Sequence, residues 1–130
     1  MGILNIVASP RGDRSASIAI VNSFLSKYEK KTKGLVVKPL GVWTESLPEF
    51  GAGATGARYK GVSGEMMTTL ERAISENIRE LASRFQTADR IVLGVPVWNF
   101  SFPYKLKQLI DLACQRNMLF TLAGKNKDQR

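Results

Sequence analysis

The alternation of short apolar runs with amphipathic segments restricts the fold of this chain more than any other feature. Residues 3–8 are apolar at nearly every position, residues 9–17 are small and polar, and apolar residues at helical spacing begin at Ile18. A second, shorter strand is predicted at Leu35-Val36-Val37-Lys38, after Gly34. Continuous apolar runs are typical of strands that are buried on both faces of a parallel sheet. A strand, a helix and a second strand within about 35 residues predict the right-handed crossover of a doubly wound α/β fold.

Residues 42–62 are rich in Gly and Ala, and they predict a loop that is too long to be a mere connection. Within it, residues 51–56 read Gly-Ala-Gly-Ala-Thr-Gly and match the dinucleotide-binding pattern G-x-G-x-x-G. That pattern identifies a phosphate loop only where a strand directly precedes it and a helix opens on it. The flanking residues meet neither condition, so we interpret this stretch as a flexible loop.

A long helix over residues 63–86 is predicted next, with Ser63 as its N-cap and Glu65 in its first turn. We expect its apolar face, methionine included, to lie in the core; that face consists of Met66, Leu70, Ile74, Ile78, Leu81 and Phe85. Residues 91–95 predict a third buried strand, and a last helix begins near Pro103. Cys114 shares the apolar face of that helix, which indicates a buried, inert thiol. The signal fades from Met118, and residues 124–130 are polar and aperiodic.

The composition narrows the possible functions. The chain has 130 residues, 44% of them apolar, which predicts one soluble domain over residues 1–130 with no membrane span and no secretory signal. One cysteine and no histidine argue against a metal site and against Ser-His-Asp or Cys-His catalysis. We therefore expect no catalytic side chain, and any enzymatic chemistry would belong to an organic cofactor.

The net charge of +8 is compatible with nucleic acid, with an anionic ligand or with a solvated lysine surface. Lysines cluster at residues 27–33, where the first helix is predicted to end and where cations are favourable. No nucleic-acid-binding motif accompanies them. We interpret the charge as a surface property and expect no nucleic-acid partner.

The loop after the first strand has the composition of an anion site. The first backbone N–H groups of a helix lack internal partners, and the helix dipole adds partial positive charge there. Hydroxyl groups are supplied by Ser9, Ser15 and Ser17, and full charges by Arg11 and Arg14. The sequence therefore predicts a phosphate-binding loop.

A second loop, residues 96–102, follows the third strand. In a sheet of order 2-1-3-4-5 the strand order reverses between strands 1 and 3, and ligands bind at that point beyond the carboxyl ends of the strands. The second loop offers a flat apolar wall, Trp98 and Phe100, with Asn99 as a polar group. Phe100 or Phe102 alone could equally be a core residue. A phosphate site opposite a flat aromatic wall favours FMN.

These two loops resemble those of the FMN-dependent NAD(P)H azoreductases and related flavodoxin-like quinone reductases. The family pattern S-x-x-x-x-x-S-x-S stands here as Ser9, Ser15 and Ser17. The second family pattern stands as Pro96-Val97-Trp98-Asn99-Phe100-Ser101-Phe102-Pro103, followed by Leu106-Lys107 and Ile110-Asp111. The resemblance covers residues 3 to 122 and implies a flavodoxin-like doubly wound α/β fold.

The resemblance also implies a set of site residues and a reaction. The FMN phosphate would be bound by Ser9, Ser15, Ala16 and Ser17, with Arg11 nearby; the flavin ring would be lined by Val97, Trp98, Asn99 and Phe100, with Pro96 nearby. By resemblance, NADH or NADPH reduces FMN in a ping-pong reaction, and a quinone or azo compound then takes the electrons. A cytoplasmic homodimer is implied, with the helix over residues 63–86 as a candidate contact.

The family continues with a fourth strand, a Gly-rich loop and a fifth strand, none of which is found in this sequence. The outer edge of the third strand would then lack a partner, and an exposed apolar edge favours aggregation. We interpret the chain as a shortened version of the family fold. The alternatives are an FMN-binding electron-transfer module without its own substrate, and an inactive homologue without turnover.

Overall fold

Three parallel strands form the centre of the structure, a computed structural model that describes residues 1–121. In chain order the strands and α-helices are β1 (Gly2–Val7), α1 (Ala16–Lys31), β2 (Val36–Gly41), α2 (Ala52–Ser63), α3 (Thr69–Gln86), β3 (Arg90–Gly94) and α4 (Tyr104–Ala113). A short 3-10 turn, Gly12–Arg14, lies between β1 and α1. The polar stretch at residues 124–130 lies outside the described residues.

The strand order is β2-β1-β3, and both pairings are parallel. Ile6 of β1 lies opposite Leu40 of β2 and Leu93 of β3. This arrangement confirms the predicted flavodoxin-like order for the first three strands. It brings the carboxyl ends of β1 and β3 side by side, which is where the two predicted loops begin.

The main core lies on the face of the sheet that α2, α3 and α4 cover. Leu4, Ile6 and Ala8 point to that face because side chains alternate along a strand. They pack with buried residues of the other elements, namely Leu40, Val42, Ala54, Ile78, Leu81, Leu106, Leu109 and Leu112. Helix α1 lies on the opposite face of the sheet and packs closely on β3. A Cβ on Gly94 of β3 would lie only 3.3 Å from Val21 Cγ2 of α1.

The predicted loop over residues 42–62 is wrong in its second half, which forms helix α2. Small residues there serve close packing against α3. A Cβ on Gly53 would lie 2.9 Å from Ile74 Cδ1, and a Cβ on Gly56 would lie 2.8 Å from Glu71 Oε1. Tertiary packing has therefore overridden the low helix propensity of glycine.

The start of the following helix also differs from the prediction. Ser63 ends α2, and α3 begins after Thr68, whose hydroxyl accepts a hydrogen bond from Glu71 N–H while the Glu71 carboxylate accepts one from Thr68 N–H. This reciprocal capping box satisfies two N–H groups at the helix start. Met66 precedes the helix and is 89% exposed, and Leu70 in its first turn is 68% exposed, so the predicted place of both residues in the core is wrong.

Strand β3 and Cys114 are both more exposed than the sequence predicts. Strand β3 is less buried than predicted, because Ile91 and Leu93 remain 43% and 47% exposed. Cys114 lies just beyond the end of α4 and is only partly buried. Among residues 1–121, no helix combines the length and apolar character that a membrane crossing requires.

Candidate functional site

The loop between β1 and α1 folds around its serine hydroxyls. Ser9 is 5% exposed and its Oγ accepts a hydrogen bond from Arg11 N–H at 3.3 Å. Ser15 is 4% exposed, and its Oγ lies 2.9 Å from Ser17 Oγ. The Ser15 hydroxyl also caps α1 by accepting from Ile18 N–H at 3.4 Å. All three predicted serines therefore belong to one ordered turn.

The start of α1 offers further donors. Within the described part of the chain, the backbone N–H groups of Ala16 and Ser17 have no hydrogen-bond acceptor. These groups open a helix of 16 residues, whose dipole favours negative charge at this end. Arg11 and Arg14 are exposed beside the loop and outweigh the single carboxylate of Asp13. Hydroxyl and amide donors with surrounding positive charge suit a phosphate group.

The loop after β3 forms a tight reversal. Trp98 N–H donates to Ser101 O at 2.7 Å, and Ser101 N–H donates to Trp98 O at 2.9 Å. The two central residues have positive φ angles, 47° for Asn99 and 63° for Phe100. Asparagine tolerates this left-handed region, but a phenylalanine there is strained. Backbone strain of this kind is found mainly at ligand-binding and active sites.

The side chains of this reversal lie at the surface. Phe100 is fully exposed, Val97 and Asn99 are exposed, and Trp98 is 37% exposed. Pro96 is half-buried where the loop leaves the strand. An exposed phenylalanine in a strained turn contributes nothing to the core. The structure thus shows that Phe100 is not the core residue that the sequence left open.

The two loops lie next to one another at the edge of the sheet. Ala8 N–H donates to Gly94 O at 3.0 Å, which joins the ends of β1 and β3. A Cβ on Gly94 would lie 3.8 Å from the carbonyl oxygen of Ser17, so α1 begins directly against β3. The donor-rich loop and the aromatic turn therefore leave the sheet side by side at the carboxyl ends of β1 and β3.

One aromatic residue at this site was missed by the sequence reasoning. Trp43 follows β2, and its indole N–H donates to Ala8 O at 2.8 Å. Its ring centroid is 6.3 Å from that of Trp98 and 5.5 Å from that of Tyr104. Its position immediately after a predicted strand, at the same end of the sheet as the other two loops, is the sequence feature that could have identified it.

The donor set and the aromatic turn fit a phosphorylated planar cofactor. The buried hydroxyls and the two free N–H groups match the acceptor oxygens of a phosphate. Trp98 and Phe100 present exposed flat apolar surface in the loop that leaves the adjacent strand β3. The arrangement can bind and orient such a cofactor, whose own chemistry would carry the reaction.

Comparison with known proteins agrees with the observed fold. The flavodoxin-like fold family matches residues 1–130. A relative named FMN-dependent NADH:quinone oxidoreductase 2, from Burkholderia lata, is 56% identical over 124 residues, which are 95% of this chain and 60% of the relative. The chain thus spans about 60% of the length of that relative.

Two solved structures are similar in fold. The crystal structure of azoreductase AzrA superposes with a TM-score of 0.87 at 24% identity, over 95% of this chain and 60% of that one. A FMN-dependent NADH-azoreductase from Bacillus anthracis, solved in complex with FMN, gives 0.85 at 25% identity, over 94% and 59%. These findings confirm the resemblance that the loop motifs indicated. The chain belongs to the flavodoxin-like fold family, with FMN-dependent NADH:quinone oxidoreductases among its relatives and azoreductases among its structural neighbours.

Proposed function

We propose that this chain binds FMN between its two loops and acts as an oxidoreductase that passes electrons from NADH to a quinone or an azo compound. The observation that carries the proposal is the pair of free N–H groups at the start of α1, which lies beside the strained aromatic turn at one edge of the sheet. FMN and NADH appear in the name of the relative from Burkholderia lata, and one similar structure holds FMN.

The phosphate would be held at the β1 end of the site. Ser9 and Ser17 offer hydroxyl groups, and the N–H groups of Ala16 and Ser17 offer the helix start. Ser15 supports them by capping α1 and by its hydrogen bond with Ser17. Arg11 adds long-range attraction from the surface, where solvent and salt screen its charge.

The flavin ring would be held at the β3 end. Trp98 and Phe100 would cover one side of the ring, and the Asn99 amide would hydrogen-bond its polar edge. Pro96 and Val97 carry the chain from the strand to this turn. The turn is closed by two short backbone hydrogen bonds, so the backbone that carries the wall is fixed before a ligand arrives.

FMN, when bound, supplies two-electron acceptance and donation, which none of the side chains in the site provides. The residues of this chain bind the phosphate, orient the ring plane and exclude water from one of its sides. We assign NADH as the donor because the relative's name specifies it; NADPH stays a prediction from the resemblance. We further propose ping-pong kinetics, in which NADH is oxidised and leaves as NAD⁺ before the acceptor binds at the same surface.

Steady-state oxidation of NADH, with menadione or methyl red as acceptor and with added FMN, tests the activity. We expect oxidation to require both FMN and the acceptor, and initial-rate plots at several fixed NADH concentrations to be parallel. A chain that binds FMN but does not oxidise NADH would overturn the enzymatic proposal in favour of an electron-transfer module. Intersecting plots would overturn the ping-pong order alone.

We also propose that the chain forms a homodimer through the junction of α2 and α3. The exposed apolar residues there are Tyr59 and Val62 in α2, Met66 in the connection and Leu70 in α3. Exposed apolar residues that are close together in this way favour an interaction site. Sedimentation velocity should show a dimer that Met66→Lys with Leu70→Lys dissociates, and a wild-type monomer at all concentrations would overturn the proposal. A cytoplasmic location stays a prediction from the sequence.

A further inference from the structure

Trp43 connects the two halves of the candidate site. Its indole N–H donates to the carbonyl oxygen of Ala8, the residue directly before Ser9. Its ring also contacts Trp98, which opens the strained turn, with the two ring planes tilted by 48°. One side chain therefore donates to the residue just before the phosphate loop and packs beside Trp98 of the aromatic turn.

The contacts around Trp43 restrict its orientation. Tyr104 packs edge-on against it at 83°, a favourable arrangement for two aromatic rings. A partly buried indole N–H usually has a hydrogen-bond partner, and here that partner is a backbone carbonyl at the end of β1. The indole is thus fixed at three points, each contributed by a different element of the fold.

We propose that Trp43 is a positioning residue that sets the spacing between the phosphate loop and the aromatic turn. This inference rests on the proposed binding of FMN, because that ligand spans both loops. The chain that joins the phosphate of FMN to its ring has a limited length, so both ends are held at once only when the spacing of the two sites suits that length. Trp43 contacts the protein on both sides of that space, so it acts on the ligand through Ala8 and Trp98.

The first test compares Trp43→Phe with the wild-type chain in the absence of any ligand. Hydrogen exchange of backbone amides should increase in both loops, at residues 9–17 and 96–101, while exchange within α4 stays unchanged. The near-UV circular dichroism should lose the coupled signal of two tryptophans 6.3 Å apart, as it should in Trp98→Phe. Tyr28→Phe, on α1 and far from both loops, is the matched control and should change neither readout. This arm does not depend on FMN.

The second test measures affinity for FMN by the quenching of flavin fluorescence. Phenylalanine keeps an aromatic ring but cannot donate to Ala8, so Trp43→Phe should weaken binding roughly 3- to 10-fold. Trp43→Leu, which also loses the aromatic contacts, should weaken it further. Double-mutant cycles of Trp43→Phe with Ser9→Ala and with Trp98→Phe should both be non-additive by more than about twofold, because one residue positions both ends.

The outcomes separate this inference from the proposed function. Additive cycles, or increased exchange in only one loop, would overturn the role of Trp43 as the connection between them. If the wild-type chain does not quench FMN fluorescence while Trp43→Phe increases hydrogen exchange in both loops, the proposed cofactor is wrong and the positioning role of Trp43 stands. Unchanged exchange in both loops overturns the inference, whatever the chain binds.

Discussion

Ser15 has two functions in the site, and this determines which serines can be tested. Its hydroxyl accepts from Ile18 N–H as the cap of α1 and also shares a hydrogen bond with Ser17. Loss of an N-cap destabilises a helix by about 1 kcal/mol, so a Ser15 variant would combine binding with folding effects. Ser9 and Ser17 have no capping role. They are the better probes of phosphate binding.

Ser9→Ala combined with Ser17→Ala should weaken FMN binding on the order of 100-fold, because two hydroxyl donors to a charged phosphate are lost. Riboflavin, which lacks the phosphate, should bind both forms alike. Ser26→Ala, an exposed serine of α1, and Cys114→Ala are the controls and should bind FMN as wild type does. Equal FMN affinity across all these variants would remove the phosphate from this loop.

Phe100 adopts a left-handed backbone at φ 63° although its side chain makes no contribution to the core. Phe100→Gly should therefore raise the free energy of unfolding of the ligand-free chain by about 1 kcal/mol. The same change should weaken FMN binding, because the proposed ring wall is lost. Chemical denaturation and fluorescence titration measure the two effects.

Asn117 provides the matched control for Phe100, since it has the same φ of 63° outside the proposed site. Asn117→Gly should have a smaller effect on stability, because asparagine tolerates this backbone better than phenylalanine. It should leave FMN affinity unchanged. A Phe100→Gly variant that is less stable than wild type would show that the turn is not strained.

At the scale of elements, the strands and the two loops could be predicted from the sequence, while α2 and Trp43 could not. Continuous apolar runs identified β1 and β3, and the hydroxyl-rich segment before Ile18 identified the helix start. Helix α2 has a weak pattern of its own, and it forms because Gly53 and Gly56 allow close approach to α3. The place of Trp43 depends on contacts with Ala8 and Trp98, which are distant in sequence.

Two interior glycines of α2, Gly56 and Gly61, should respond differently to alanine. A Cβ on Gly61 would approach Met67 Cε at 3.4 Å, which is ordinary contact, so Gly61→Ala should stabilise the chain by roughly 0.5–1 kcal/mol. On Gly56 the Cβ would meet the Glu71 carboxylate at 2.8 Å, and that carboxylate is held by Lys60 and Thr68. Gly56→Ala should therefore destabilise the chain in chemical denaturation. Equal stabilisation by both changes would contradict the close packing of α2 on α3.

Glu71 makes the junction of α2 and α3 sensitive to acid. The hydrogen bond from Lys60, followed by that from the Thr68 backbone N–H, holds the pKa of Glu71 below its ordinary value of 4.5. A lowered folded-state pKa stabilises the chain at pH values above 4.5, and this contribution is lost as the pH falls through the folded-state pKa.

We expect the difference in Tm between wild type and Glu71→Gln to be largest near pH 6 and to shrink as the pH falls below 4.5. Glu76→Gln, on the exposed face of α3, should show no such loss. Thermal unfolding followed by far-UV circular dichroism across this range measures both. A Tm difference that stays constant across the pH range would contradict the lowered pKa.

At the scale of the whole molecule, the site lies at the carboxyl ends of the strands, and β3 is the outermost strand on one side of the sheet. Within residues 1–121 no strand pairs with the outer edge of β3, and Ile91 and Leu93 are partly exposed beside it. Exposed apolar strands promote association between chains. Binding measurements therefore need dilute protein and a light-scattering control.

The titration of FMN with the 130-residue chain tests the central claim most directly. If the two loops hold the phosphate and the ring, flavin fluorescence should be quenched saturably, with FMN binding at least tenfold more tightly than riboflavin because of the phosphate loop. Flavin fluorescence that stays unquenched at every protein concentration, or equal affinity for FMN and riboflavin, would contradict the account.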